Sequence, residues 1–334
     1  MTQFTPTVKR VSQVDVKAKL KLGLSLMKQR RFDEATQELE AVLQAEPASI
    51  QACIGLGNIA YRQDRYDEAL SYFQRAMQLD PMKPVPQLRA GRIYLQQEQF
   101  GKALEHFLNV TRIDAKATMA YAGAGLVYFQ EQNYDEAIRQ WRIALRLNPQ
   151  MVPVRQRIAQ AYSSQGKLPE ATTELQAALR IKPGDAKLHL GLGQIYLLQN
   201  DFISAREAFQ SAVGLSERPP EAAVLGLAEA LLGETRYNEA AEMLQSMPQK
   251  PQLTARHHKL WGDIYTAQEL FKEAAESYQA AALSASEEDE GGSQLADIDS
   301  LLNEPEGADW EEIATNRRNS ARAILAGRRA KYSR

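Results

Sequence analysis

Apolar and polar positions along this chain repeat with helical spacing, and the helical stretches come in pairs. Residues 50–83 show one pair in full. Leu56-Gly57 marks a first apolar stripe, Ala69, Phe73 and Ala76 mark a second, and Pro81 ends it. Thirty-four residues earlier stand Leu22-Gly23, Ala35, Leu39, Val42 and Pro47. At the same interval downstream stand Ala90-Gly91, Ala103, Phe107 and Val110, then Ala124-Gly125, Ala137, Trp141, Ala144 and Pro149. Ile158-Ala159, Ala171, Leu175, Ala178 and Pro183 follow, then Leu192-Gly193, Ala205, Phe209 and Ala212. One inserted residue near Pro219-Pro220 shifts the register before Leu227-Ala228, Ala240, Leu244, Met247 and Trp261-Gly262, Ala274, Tyr278, Ala281. A period of this length, held in phase, specifies a stacked all-α array rather than separate globular domains.

Local chemistry divides each unit. Asp33, Asp67, Asp135 and Asn238 stand where the second helix is expected to start, and their side chains can accept from an unpaired first-turn amide, so they are expected as N-caps. Each is preceded by a large apolar residue (Phe32, Tyr66, Tyr134, Tyr237), as are the matching positions Phe100, Leu168, Phe202 and Phe271, all expected to plug the space between the two helices. Glycine inside a helix costs about 1 kcal/mol relative to alanine, so Gly57, Gly91, Gly125 and Gly193 call for a packing reason. Asn148-Pro149 and Lys182-Pro183 end second helices, because the residue before proline is driven out of helical geometry. Ala115 and Glu217 replace that proline in two units, leaving those boundaries less marked.

Tyr121, Ala124-Gly125, Tyr128, Ala137, Trp141, Ala144 and Pro149 together resemble the tetratricopeptide repeat (TPR) family. The resemblance extends over eight units: 16–49, 50–83, 84–117, 118–151, 152–185, 186–220, 221–254 and 255–285. It implies a right-handed α-solenoid whose first helices line a concave groove, with positions five, nine and twelve of each unit facing it. Those positions are Leu20, Leu24 and Met27, then Ile54, Asn58 and Tyr61, then Leu88, Arg92 and Leu95, then Leu126 and Phe129. Leu190, Gln194, Leu197, Leu225 and Leu232 continue the set, whereas Gln156, Gln160 and Ser163 make the fifth unit polar, and Lys259 and Asp263 make the eighth charged. A groove so apolar is expected to take an apolar peptide or amphipathic helix. Family members that clamp a C-terminal carboxylate use lysine, asparagine and arginine at positions occupied here by Leu20, Leu24, Ile54, Gly55 and Leu88; Asn58 and Arg89 alone fit that pattern. Chaperone-tail recognition is therefore not expected.

Outside the array, residues 1–15 read as a leader and 286–308 as an acidic linker. The linker carries a short amphipathic segment, with Leu295, Ile298, Leu301 and Leu302 on one side and Asp299 among the acids, expected to dock on a partner or regulate the groove. Residues 297–303 are similar to the N-terminal peptide of the bacterial flagellar switch protein, which binds the phosphorylated chemotaxis response regulator. That likeness implies an adaptor in a motility, pilus or response-regulator pathway. Residues 309–334 begin acidic and end basic, as a helix dipole favours, and Trp310, Ile313, Ala314, Ala321, Ile324 and Leu325 line one face.

Net charge of -2 with both signs interspersed gives no basis for binding a phosphate backbone. The lone Cys53 excludes an intrachain disulfide and a cysteine zinc cluster, and reads as a buried small hydrophobe. No signal peptide or spanning segment is apparent, so a cytoplasmic protein is expected. Gly55-Leu56-Gly57 and Gly191-Leu192-Gly193 lie inside first helices, without the preceding strand that a phosphate loop needs. His257 and His258 diverge on a helix, and His106 and His189 lie in different units. With no nucleophile–base pair, cofactor motif or metal set, the expectation is a non-enzymatic scaffold that holds proteins or peptides. Regulatory subunit of an enzyme whose catalytic chain is separate is the alternative from another class.

Overall fold

The computed structural model describes residues 13–247 and 255–288. Among them every regular element is an α-helix, and the helices fall into two compact units. The first unit holds α1 (Gln13–Lys28), α2 (Phe32–Ala45), α3 (Ile50–Arg62), α4 (Tyr66–Leu79), α5 (Pro84–Gln96), α6 (Phe100–Ile113) and α7 (Thr118–Gln130). The second holds α8 (Tyr134–Leu147), α9 (Val152–Ser164), α10 (Leu168–Ile181), α11 (Ala186–Leu198), α12 (Phe202–Gly214), α13 (Glu221–Gly233), α14 (Tyr237–Gln245), α15 (Ala255–Ala267) and α16 (Phe271–Glu288). Within each unit the helices of a hairpin pack together and each second helix packs on the next first helix, as α2 does on α3 and α12 on α13. This is the expected all-α solenoid of two-helix bricks.

The turn inside each brick explains why the hairpins are so alike. Arg30, Asp64, Glu98, Gln132, Asn200, Thr235 and Glu269 all adopt φ between 57° and 61°, and Gly166 adopts 73°. After every one of these but Gln132, the next residue is seen to donate its N–H to a carbonyl five positions back, as Arg31 does to Leu26 at 3.0 Å, Arg65 to Ala60 at 2.9 Å and Arg236 to Leu231 at 2.9 Å. That is the bond pattern of a helix closed by one left-handed residue. The same residue then accepts the N–H of the landmark alanine, Ala35 from Arg31 and Ala69 from Arg65 at 3.0 Å, Ala240 from Arg236 at 3.1 Å. One residue thus closes the first helix and opens the second, which fixes the hairpin at its shortest.

This geometry moves the caps. Asp33, Asp67, Asp135 and Asn238 are not N-caps; they occupy the second helical position, and the cap is the residue before the aromatic. Asn133 and Asp201 at that place do cap with side chains, accepting from Glu136 N at 3.4 Å and Ser204 N at 3.2 Å. Arg31 and Arg236 cannot accept a bond, and instead grip Glu34 (2.6 and 2.5 Å) and Glu239 (2.7 and 2.6 Å) with both guanidinium edges. Asp33, Asp67 and Asp135 still serve the first turn by lying at the positive end of the helix dipole. Where Ala115 replaces the proline, Asp114 accepts from Lys116 N at 2.8 Å, the same bond that Asp80 takes from Met82 N at 3.0 Å and Asn148 from Gln150 N at 3.2 Å beside Pro81 and Pro149, so the turn is made with or without the proline.

Three further expectations shift. α1 begins at Gln13, ahead of Val16, and α16 continues through the start of the expected linker to Glu288. Phe271 is 68 % exposed and plugs nothing, while the other residues of its set are half-buried.

The landmark glycines and the second-helix aromatics form one device. A Cβ placed on Gly193 would stand 2.7 Å from the Phe209 ring, and one on Gly226 of the next brick 2.4 Å from the same ring. Phe107 is held likewise between Gly91 (3.0 Å) and Gly123 (2.6 Å), and Leu39 between Gly23 and Gly55 (2.8 Å each). Each buried side chain therefore joins its own brick to the following one, and about 1.5–3 kcal/mol per large side chain resides in that seam. The second glycine of each clamp, two residues ahead of the landmark, was not foreseen as a packing partner of the preceding brick.

Candidate functional site

The first helices of the first unit present a continuous wall. Leu20, Leu24 and Met27 on α1 are half-buried and rest on the cluster of Leu39, Val42 and Leu56. Ile54, Asn58 and Tyr61 on α3 and Leu88 on α5 are also half-buried, so each keeps surface that a ligand can cover. Leu24 reaches the next brick, its Cδ2 lying 3.4 Å from where a Cβ of Gly55 would stand. The Arg92 guanidinium sits 5.5 Å above the Tyr61 ring, within cation–π range. Asn58 Oδ1 is buried and accepts no hydrogen bond among the described residues.

Not all of the expected lining is reachable. Leu95 is 0 % exposed, Leu126 1 %, Arg92 3 %, Phe129 4 % and Leu225 4 %. These side chains build the wall from behind and offer a partner no surface. Positions nine and twelve turn inward at α5 and α7; α7 is almost continuously apolar, with nine buried residues from Met119 to Phe129.

In the second unit, Leu190, Leu197 and Leu232 are half-buried against the cluster containing Leu225, Leu227, Leu260 and Ile264, and Gln194 is exposed. Gln156, Gln160 and Ser163 are half-buried, with Gln160 accepting from Arg157 Nη1 at 2.9 Å. On α15, Trp261 and Tyr265 stack at 5.4 Å and Lys259 lies 3.9 Å from Asp263. The aromatic pair was not singled out from sequence, although its i, i+4 spacing was legible.

A different feature of this unit also escaped sequence reading. Arg139, Arg142, Leu145 and Arg146 of α8 and Arg155 of α9 surround an open cleft of about 440 Å³. Glu174 of α10 is its buried counter-charge, accepting from Arg155 Nη1 at 3.1 Å and Arg142 Nη2 at 3.3 Å, while Arg142 also donates to Tyr162 Oη at 3.1 Å.

Nothing in this arrangement prepares a nucleophile. Cys53 is fully buried, and burial pushes its thiol up. His106 Nδ1 donates to Gln87 Oε1 at 2.6 Å and the ring stacks on Tyr94, and burial lowers its pKa. His257 is buried against Trp261, and burial followed by the neighbouring His258 lowers its pKa too. Among the described residues no group of three or more His, Cys, Asp or Glu could hold a metal, and no helix is long and apolar enough to cross a membrane. Residues 1–12 of the leader, the amphipathic segment with Leu295, Ile298, Asp299, Leu301 and Leu302, and the final stretch 309–334 lie outside the described residues.

Comparison with known proteins places this geometry. The family model described as the cilia and flagella-associated protein 70 C-terminal domain matches residues 3–225, and a tetratricopeptide repeat-like domain matches residues 186–299. A comparison with curated proteins gives no match. Among solved structures, a tetratricopeptide repeat protein from Parabacteroides merdae is similar at 20 % identity and TM-score 0.54, covering 86 % of this chain and 97 % of its own. PilW, a type IV pilus biogenesis factor, is similar at 17 % identity and TM-score 0.55, covering 61 % of this chain and 94 % of its own. PilF of Pseudomonas aeruginosa is similar at 17 % identity and TM-score 0.53, covering 60 % and 91 %. At these identities the likeness is one of fold.

Proposed function

The chain belongs to the tetratricopeptide-repeat family represented by the cilia and flagella-associated protein 70 C-terminal domain, and from that premise we propose that it is a non-enzymatic cytoplasmic scaffold binding an apolar or amphipathic segment of another protein. The supporting observation is the half-buried stripe Leu20, Leu24, Ile54, Tyr61 and Leu88 along the first helices of the first unit. These side chains occupy successive first helices, so an incoming helix can set an anchor on each, spaced by its own turns. Half-buried Asn58 gives the stripe its polar marker, which orients a ligand more than it holds it, while buried Arg92 braces Tyr61 from behind. Leu190, Leu197, Gln194 and Leu232 offer a second, shorter stripe in the second unit. The segment bearing Leu295, Ile298, Asp299, Leu301 and Leu302 adds a tethered docking or autoregulatory element.

Selection of displayed amphipathic peptides on the full chain tests the reading. Enriched peptides should lose binding to Ile54→Glu and Leu88→Glu chains that keep their helical circular dichroism, because a charge enters the stripe while the buried core is untouched. Leu126→Glu is unsuitable, since that side chain is 1 % exposed and its loss would disturb the brick itself. Peptides that bind the variants as well as the parent remove the stripe as the site.

A further inference from the structure

The arginine cleft between α8 and α9 holds more positive charge than the protein neutralises. Four guanidiniums line it, from Arg139, Arg142, Arg146 and Arg155. Two carboxylates answer them: Glu136, 3.0 Å from Arg139, and Glu174, shared by Arg142 and Arg155. Arg146 meets no acid among the described residues, and Arg155 Nε is buried with no acceptor. A buried charged donor left unmade is costly, and a planar guanidinium is shaped to take a carboxylate edge-on. Leu145, buried at the cleft, supplies an apolar floor. Arg155 and Gln156 are consecutive on α9, so the cleft and the Gln156–Gln160–Ser163 stripe lie on different faces of that helix.

We propose that this cleft docks the acidic segment 289–301 of the same chain, taking the carboxylates of Asp297 and Asp299, which share one face of an extended segment, between Arg146 and Arg155. The inference rests on the reading of the tail as a docking element, and assigns it a surface other than the apolar stripe. Segment 289–301 carries Asp289, Glu290, Asp297 and Asp299 and no lysine or arginine. Charge complementarity therefore favours it over the basic stretch that follows Asn316. Topology favours it as well. In alternating hairpins the C-terminal ends of second helices and the N-terminal ends of first helices share one edge of the unit. The cleft lies there, between the C-terminal half of α8 and the first turn of α9, and α16 ends at Glu288 on the same edge. Successive first helices of this unit pack on one another, α11 on α13 and α13 on α15, so three bricks separate the two places by about 30 Å. The nine residues from Asp289 to Asp297 reach about 30–32 Å when extended, which spans that separation without slack.

Amide exchange of residues 289–301, followed by mass spectrometry in the full chain, tests the assignment. At low ionic strength the segment should exchange about tenfold more slowly than in an Arg139→Glu/Arg146→Glu chain, and the difference should vanish in about 0.5 M salt. Neither arginine holds Glu174, so the variant should keep its helical signal. Adding Asp297→Lys/Asp299→Lys to that variant should restore slow exchange by reversing both partners. Equal exchange in parent and arginine variant, or no restoration by the reversed tail, overturns the proposal. Slowing that grows with protein concentration assigns the cleft to a second copy, and inorganic phosphate that raises the melting temperature without changing tail exchange assigns it to free phosphate; either overturns it. Ile54→Glu should leave tail exchange unchanged, so this proposal and the stripe reading fail independently.

Discussion

Phe209 is clamped between the glycines of two bricks, and the clamp makes two outwardly similar substitutions differ in sign. A methyl on Gly226 would stand 2.4, 2.5 and 2.8 Å from three atoms of the ring, where ordinary contact begins near 3.4 Å. The ring has little room to retreat, because Gly193 also approaches it at 2.7 Å and Phe209 is 0 % exposed. Overpacking of this kind costs about 1–3 kcal/mol, and a displacement near 1 Å belongs at the upper end. Replacing glycine by alanine inside a helix returns about 1 kcal/mol. Gly226→Ala should therefore destabilise by about 2 kcal/mol. Gly191→Ala meets only Leu175 Cδ1 at 3.2 Å, the free end of a flexible side chain in ordinary reach of a small rotation. There the propensity gain should prevail, and the variant should be more stable by about 0.5–1 kcal/mol. Guanidinium unfolding followed by far-ultraviolet circular dichroism measures both, with Phe209→Leu expected to restore part of the Gly226→Ala loss. Shifts of the same sign in the two variants would refute the argument that clamp distance, rather than helix position, decides the outcome.

The left-handed turn position gives a second test. Thr235→Gly should raise stability by about 1 kcal/mol, since a β-branched residue is held at φ 61°, and Gly166→Ala should lower it by a similar amount although nothing lies within 4 Å of its Cβ; unfolding midpoints read both. Glu174→Ala should destabilise by about 2–3 kcal/mol, because it leaves Arg155 and Arg142 facing each other without their shared carboxylate, and Glu174→Gln should cost less; thermal melts compare them. His106 and His257 have pKa values lowered by burial from the ordinary 6.5, so the unfolded chain binds protons more readily than the folded one just below that value. Their contribution to stability is complete above about pH 6.5 and is lost as pH falls through the folded pKa, and His257→Asn should flatten the acid limb of a stability–pH profile.

The brick and its period were legible because every unit repeats the same packing problem, and Ala69, Phe73 and Gly57 solve it with the same residue types each time. Cap placement was not, for a physical reason. The left-handed residue and the carbonyl that follows complete the hairpin with backbone bonds alone, so arginine, glutamine, lysine and leucine serve at the cap position as well as asparagine. Asp33 and Asp67 then looked like caps when they are first-turn anions. Neither did the turn betray its left-handed φ, since Gly166 is the one glycine among eight such positions. The expected stripe was partly legible: Leu20, Ile54 and Leu88 keep surface, while Leu95, Leu126, Phe129 and Leu225 are absorbed into packing that a single-helix register cannot reveal. Arg139, Arg142 and Arg146 share an i, i+3, i+7 face in the sequence, but only the fold brings Arg155 and Glu174 to it.

The central claim is that half-buried apolar side chains on successive first helices form one binding surface. Titration of a selected amphipathic peptide into the full chain and into Ile54→Glu, monitored calorimetrically, addresses it most directly. Losing one anchor of about 1.5–3 kcal/mol predicts a Kd weakened roughly ten- to hundredfold, with helical content and melting temperature unchanged. An unchanged Kd in a folded Ile54→Glu chain would contradict the account.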